Sequence, residues 1–263
     1  MAKLSSKNKI LIASILIGVL VIGAIVSLVI VLAASQQNVS TNVIVRYTVD
    51  GVAAKVTANY ATIPTGVTAL STGLFNSCKK LTSITIPNNI TKISGNAFRA
   101  CNNLISIIVE SGNSVYSSGN ENNCIIETAT NTLIRGCETT IITDGITKIA
   151  GDAFSGVTGL TELTIPSSVT SIGDNAFLWS GLTSITIPSS VTSIGYGAFE
   201  GCSNLTNVIF ENRTSWGAYS GTILKYEIAD LSNTATNAAN LKNLSSNSSL
   251  NVNWGYYQLK REA

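Results

Sequence analysis

The chain has 263 residues, of which 45% are apolar and only 11% charged, with 16 Lys and Arg against 14 Asp and Glu. Soluble globular chains carry about 25% charged residues, so the shortfall points to a membrane segment, a Ser/Thr/Asn-rich surface, or both. There is no histidine, which removes the commonest general base and the commonest metal ligand. With Lys3, Lys7 and Lys9 set aside, the chain from Ser35 onward holds 13 basic and 14 acidic residues and no basic run. A nucleic-acid partner, which needs cations against phosphates, is therefore not expected.

Residues 10–34 are uncharged and mostly apolar. A helix over this stretch, rising about 1.5 Å per residue, crosses a hydrocarbon core of about 30 Å with some tilt. Lysines precede the run and no charge follows until Arg46, so residues 1–9 are expected in the cytoplasm and the chain after Ser35 outside. The reading is a single-pass transmembrane signal anchor, in contact with membrane lipid over 10–34, and a linker at 35–42. Ala33-Ala34-Ser35 also offers the small residues of a signal-peptidase site, so a form secreted after cleavage near Ala34 is the alternative. The run is longer than the roughly 7–15 apolar residues of a signal peptide.

Two alternating apolar runs flank Asp50-Gly51, a strong signal for a two-residue hairpin. The hairpin, over 43–57, is expected to cap the segment on its C-terminal side. That segment is a repeat: LTSITIPNNITKISGNAFRACNN from Leu81, LTELTIPSSVTSIGDNAFLWSG from Leu160 and LTSITIPSSVTSIGYGAFEGCSN from Leu182. The period is 23 residues, with one copy of 22. In Leu81-x-x-Ile84-x-Ile86 the last two apolar residues alternate with Ser83 and Thr85, which predicts a strand with one core-facing side. Pro87 ends it, because proline has no N–H for a neighbouring rung. Ile90, Ile93, Ala97, Phe98 and Cys101 turn inward on the return arc. Phe75, Phe98, Phe154, Phe177 and Phe199 share one repeat position and are expected to form a buried ladder. Gly173 and Gly195 read as turn residues.

The pattern LTxITIPxxVTxIGxxAFxGC resembles the BspA-like subclass of leucine-rich repeats, over about Val43–Trp216. The resemblance implies a curved parallel-sheet solenoid on a surface or secreted protein, with adhesion as the role often proposed. The expected fold is predominantly β: a leucine-rich-repeat solenoid of 23-residue BspA-like repeats over 58–216, with an N-terminal capping hairpin and one preceding transmembrane helix. Between about 111 and 136 the period is interrupted. Asn123–Glu127 and Thr132–Arg135 read there as an inserted hairpin, a variant also met in that family. Residues 217–263 form a C-terminal cap and tail. In them Tyr219–Ile228 is expected to be strand, Ala229–Lys242 to hold a short helix, and Trp254, Tyr256 and Tyr257 to fold back on the last rung.

Cys78 and Cys101 lie one repeat apart, close enough for a disulfide if rungs stack about 4.8 Å apart; a packed free thiol is the other reading. Cys124 and Cys137 are the next possible pair, and Cys202 remains. Without His or a C-x-x-C pair, no metal or cofactor site is expected. Without His, a Ser-His-Asp triad cannot form, and no enzyme activity is expected. The expected function is a membrane-anchored extracellular interaction module for a protein or glycan, with adhesion to host or neighbouring surfaces as its role. A passive structural spacer or envelope protein is the alternative. The candidate ligand surface takes in the insertion and adjoining rungs: Ser106, Ile108, Tyr116, Glu121, Glu127, Thr139, Ile141, Glu162 and Thr164.

Overall fold

In most repeats the Leu-x-x-Ile-x-Ile half forms a short strand in the computed structural model, which describes residues 30–33, 42–47, 53–56, 60–63, 66–119, 122–213, 216–220, 223–228, 231–242 and 258–261. Ser83–Ile86, Ser106–Val109 and Ser184–Ile187 each bury their second and fourth residues and expose the third. Tyr60–Thr62, Ser83–Ile86 and Ser106–Val109 pair in parallel, and so do Ser184–Ile187 and Asn207–Phe210. Burial of one such Ile contributes about 1.5–3 kcal/mol, and a stack of rungs supplies the partner surface that one rung lacks.

The return half of the repeat builds a second ribbon of two-residue strands. Lys148–Ile149, Ser171–Ile172 and Ser193–Ile194 pair in parallel. Between the ribbons runs the phenylalanine stack. Phe75 and Phe98 lie 5.2 Å apart, Phe154 and Phe177 5.3 Å, and Phe177 and Phe199 5.0 Å, all with near-parallel rings. At the stack, backbone bonds hold neighbouring rungs in register, from Phe75 N to Ala97 O, Phe154 N to Ala176 O and Phe177 N to Ala198 O. Gly173 and Gly195 open turns, their carbonyls accepting from Ala176 N and Ala198 N, and they also allow close stacking of the rungs. A Cβ on Gly173 would collide with the Gly151 backbone, and one on Gly195 with the Asp174 backbone.

At the N-terminal end Asn42–Tyr47 and Ala53–Val56 pair antiparallel, and Ala53–Val56 joins Tyr60–Thr62, the first strand of the solenoid. The expected helix over 10–34 needs correction at its end. Ile30–Ala33 is a strand, paired antiparallel with Asn42–Val45. β-Branched Ile30 and Val31 suit an extended backbone, and the hairpin's open edge supplies their ladder partners. The rest of that apolar segment and the Asp50-Gly51 turn lie outside the described residues. Among the described residues no helix is long and apolar enough to cross a membrane.

The insertion interrupts both ribbons. Ile125–Glu127 pairs antiparallel with Thr132–Arg135 and with Tyr116–Ser117, and Thr132-Leu133 continues in parallel to Lys148-Ile149. On the other ribbon, the edge of Ser106–Val109 is met by side chains rather than by a strand. Asn123 Oδ1 accepts from Ile107 N at 2.6 Å, Asn123 Nδ2 donates to Ile105 O at 2.7 Å, and Ser118 Oγ accepts from Val109 N at 2.5 Å. Asn113 ties the insertion to the preceding rung, donating to Pro87 O and Ile90 O and accepting from Val115 N and Tyr116 N. Polar side chains thus satisfy backbone groups that the broken ladder leaves over.

Behind the insertion the phenylalanine stack skips a rung. Gly136 N donates to Ala153 O, the bond that phenylalanine makes elsewhere, so a glycine holds the aromatic slot. A Cβ there would collide with the Phe154 ring. The preceding residue, Arg135, is only 1% exposed. Its Nη1 donates to Asp152 O and Ser155 O, both at 3.1 Å, while Nε and Nη2 have no protein partner. Burial pulls its pKa down, and Cys101, Cys137 and Asp152 oppose that shift.

The far end is capped twice. The helix Thr234–Lys242 packs on Asn207–Phe210, with Asn237 Nδ2 donating to Val208 O and Lys242 Nζ to Leu205 O. Asn233 Oδ1 caps its first turn by accepting from Thr236 N at 2.9 Å. The second ribbon ends on Gln258–Arg261, antiparallel to Ser193–Ile194 on one side and to Trp216–Ser220 on the other, with Ile223–Ile228 outermost. Trp254, Tyr256 and Tyr257 lie outside the described residues, but the strand just after them does return to the last rungs.

Candidate functional site

The outward side of the first ribbon is built from strand alternation. On most rungs it presents Ser and Thr, as in Ser83 and Thr85 or Ser184 and Thr186. Several of the flanking threonines are occupied by the fold itself. Thr183 Oγ1 donates to Thr161 O and Thr206 Oγ1 to Thr183 O, each bridging to the rung before. On the return arc Thr170 and Thr192 do the same toward Thr147 O and Thr170 O. This accounts for the abundance of threonine: a hydroxyl at these positions binds the carbonyl of the neighbouring turn.

The exception lies where the insertion breaks the sheet. Ile105, Ile108 and Ile141 are 46%, 53% and 62% exposed. Among the described residues, Trp179 and Tyr196 are the other large apolar side chains left open. No strand forms over 139–142 or 161–165; Ile141 N instead donates to Asn122 O, and Thr139 Oγ1 to Ile105 O. Between these two rungs lies an open cleft of about 170 Å³, lined by Thr140, Ile141, Ile142, Glu162, Leu163 and Thr164. Glu110 and Glu211 are engaged elsewhere, accepting from Asn88 N and Ser189 N. Glu138 and Glu162 are exposed.

The candidate surface expected from the sequence therefore divides. Ile108, Thr139, Ile141, Glu162 and Thr164 are exposed or partly so and Ser106 is half-buried, on consecutive rungs of one face. Tyr116 belongs elsewhere. It is 5% exposed, and its hydroxyl accepts from Ile93 N at 2.9 Å. An aromatic ring in a polar loop reads as a surface anchor, but here it fills the core beside Ile93. Glu127 is half-buried in the second ribbon and accepts from Thr130 Oγ1 at 2.5 Å. Glu121 lies outside the described residues. Asn122, Asn123 and Arg135, which shape the breach, have no repeat position. For the two asparagines, the asparagine run around Glu121 was the only sequence signal.

All five cysteines are free and buried. The packed-thiol reading, to which the shared repeat position with Val157 points, is thus the one adopted. Cys101 Sγ donates to Phe75 O at 2.9 Å and Cys202 Sγ to Phe177 O at 3.0 Å, closing equivalent turns. The Cys101 thiol is pushed up by its hydrogen bond with Cys78 and by burial, and Cys202 by burial. Burial, with Cys137 nearby, pushes Cys124 from the ordinary 9.0 up to about 12. The folded chain therefore keeps a proton that the unfolded chain releases above about pH 9, so the stability these thiols confer is complete below that pH and lost as pH rises toward 12. The melting temperature should be level from pH 6 to 8 and fall above pH 9, less steeply in Cys124→Ala. An equal fall in that variant would remove Cys124 from the account. A thiol reagent should react slowly with the folded chain and quickly with five thiols after unfolding.

No curated protein matches the sequence significantly. Several solved structures are similar to it, among them three from bacteria. A leucine-rich repeat protein from Eubacterium ventriosum ATCC 27560 is 20% identical, over 65% of this chain and 70% of that one, with a TM-score of 0.44. A leucine rich cell surface protein from Faecalibacterium prausnitzii A2-165 is 22% identical, over 73% of this chain and 58% of that one, with a TM-score of 0.36. The pneumococcal vaccine antigen PcpA is 20% identical, over 51% of this chain and 40% of that one, with a TM-score of 0.39. The BspA type leucine rich repeat region matches residues 53–135 and 131–248, in six copies. With well over half of its length so matched, the chain belongs to the BspA-type leucine-rich repeat family.

Proposed function

We propose that this protein is a non-catalytic interaction module of the cell surface, held by its N-terminal apolar segment, with the first-ribbon face of the solenoid turned to a partner protein. The observation that carries this reading is the exposed row of isoleucines on an otherwise hydroxyl-rich sheet. Exposed apolar clusters on a soluble surface mark interaction sites. The anchor reading is supported by residues 10–29, which remain a run of uncharged residues after Ile30–Ala33 is given to the sheet. Its length still matches a hydrocarbon core of about 30 Å, and Lys3, Lys7 and Lys9 favour a cytoplasmic N-terminus.

Protease added to intact, wall-stripped cells should remove the repeat domain and leave a short membrane-bound stub. Full protection would reverse the topology. Full-length protein in lipid nanodiscs, presented with matrix proteins, glycans and host cells, should bind at least one protein. Uniform failure to bind would favour a passive envelope component.

A further inference from the structure

We infer that the breach in the first ribbon receives an extended segment of a partner protein in which an aliphatic side chain stands next to a lysine or arginine. The inference rests on the interaction-module reading above and gives that partner its chemistry. Four observations converge on it.

First, Ile108 and Ile141 occupy equivalent outward positions of the repeat on consecutive rungs, where the rungs on either side carry Thr85 and Thr164. Both are more than half exposed, and Ile105, whose carbonyl accepts from Thr139 Oγ1 of the next rung, is a third exposed aliphatic side chain. Second, the sheet stops here. The cleft between the Ile141 and Leu163 rungs is lined by residues 140–142 on one wall and 162–164 on the other. It therefore runs along the rungs, the direction in which an extended chain would lie. Its walls are partly apolar, through Ile141 and Leu163, and so admit an aliphatic side chain.

Third, the charge around it has one sign. From Thr82 to Ile209 the outward positions at the start and along the strands are Ser, Thr, Asn and Ile, apart from Glu138 and Glu162. Glu162 lines the cleft itself, and Glu138 opens the rung that bears Ile141. No basic residue occupies those positions, so a cationic side chain beside the aliphatic one is the complementary group. Fourth, the platform is held in place from behind. Asn123 and Thr139 both bind Ile105 O, and Asn123 also donates to Thr139 Oγ1. A surface fixed by its own hydrogen bonds loses little freedom when a partner arrives.

The test is selection of random twelve-residue peptides on the full chain in nanodiscs, with a glycan array in parallel. Selected peptides should be enriched in Ile, Val or Leu adjacent to Lys or Arg. Synthesised singly, they should bind at least tenfold more weakly to Ile108→Ser/Ile141→Ser and to Glu138→Gln/Glu162→Gln. All four positions are exposed, so both variants should keep the parent melting temperature. Affinity should also drop as salt is raised, since the charged contacts lie at the surface. Peptides that lack basic residues, or that bind both variants as well as the parent, overturn the inference and leave the interaction-module reading standing. Glycan binding with no peptide selected overturns it as well, and binding to neither overturns both readings.

Discussion

Phe177→Ala should cost about 3–5 kcal/mol of unfolding free energy in urea titrations, the range for truncation of a fully buried phenylalanine. Phe177 is the middle of three stacked rings, with Phe154 5.3 Å away on one side and Phe199 5.0 Å on the other. It has no exposed surface, so truncation opens a cavity walled by two aromatic faces, and the stacked rungs cannot close it without shortening their spacing. Phe75, which stacks on Phe98, is a useful comparison nearer the other end. Phe75→Ala should cost less than Phe177→Ala, because Phe75 has an aromatic neighbour on one side only. A Phe177→Ala variant within about 0.5 kcal/mol of the parent, as for a surface change, would contradict the ladder.

Arg135→Ala should cost about 3 kcal/mol, the scale for truncating a large buried side chain, and Arg135→Met should restore most of that. The alanine leaves a void beside the glycine that already replaces a phenylalanine, and it takes the Nη1 donor from the carbonyls of Ser155 and of Asp152, the latter keeping its bond from Ser155 N. Methionine fills the volume without a charge. The guanidinium is desolvated and only one of its nitrogens is bonded within the protein, so its net electrostatic contribution is small. Buried ionic groups are often replaced by apolar ones of similar volume at little cost. Urea midpoints of the two variants decide the matter. If methionine proves as damaging as alanine, the two carbonyl bonds, rather than the filled space, hold this part of the core.

The solenoid was legible because its physics repeats. Each copy restates the same alternation, the same proline stop and the same aromatic slot, so a register assigned on Leu81 predicts the burial of Ile185 and Phe199. The hairpins were legible from local turn chemistry. The insertion's role was not, because its asparagines act at a distance. Asn123 reaches Ile107 across 16 residues of chain, and no local pattern encodes that meeting. Arg135 leaves one trace in the spacing of the apolar positions. Three residues separate Leu133 from Cys137, whereas seven separate the equivalent Ile149 and Val157. The missing four contain the Ala-Phe pair, so some other side chain had to fill the space. The exposed isoleucines came from alternation. Tyr116 was misplaced because an isolated ring in a polar loop gives no periodicity from which to infer its direction.

The positions of the two breaks have a mechanical consequence. The second ribbon is open between Lys92–Ile93 and the insertion, where the first ribbon still joins Ser83–Ile86 to Ser106–Val109. The first ribbon is open from Val109 to Ser184, where the second still links Thr132-Leu133, Lys148-Ile149, Ser171-Ile172 and Ser193-Ile194 in sequence. The two openings meet: among the described residues no strand ladder crosses from Ser106–Val109 or Lys92–Ile93 to the sheet that begins at Tyr116–Ser117. A pull along the long axis should therefore part the stack at this seam, where side chains of Asn113, Ser118 and Asn123 carry the load in place of a backbone ladder.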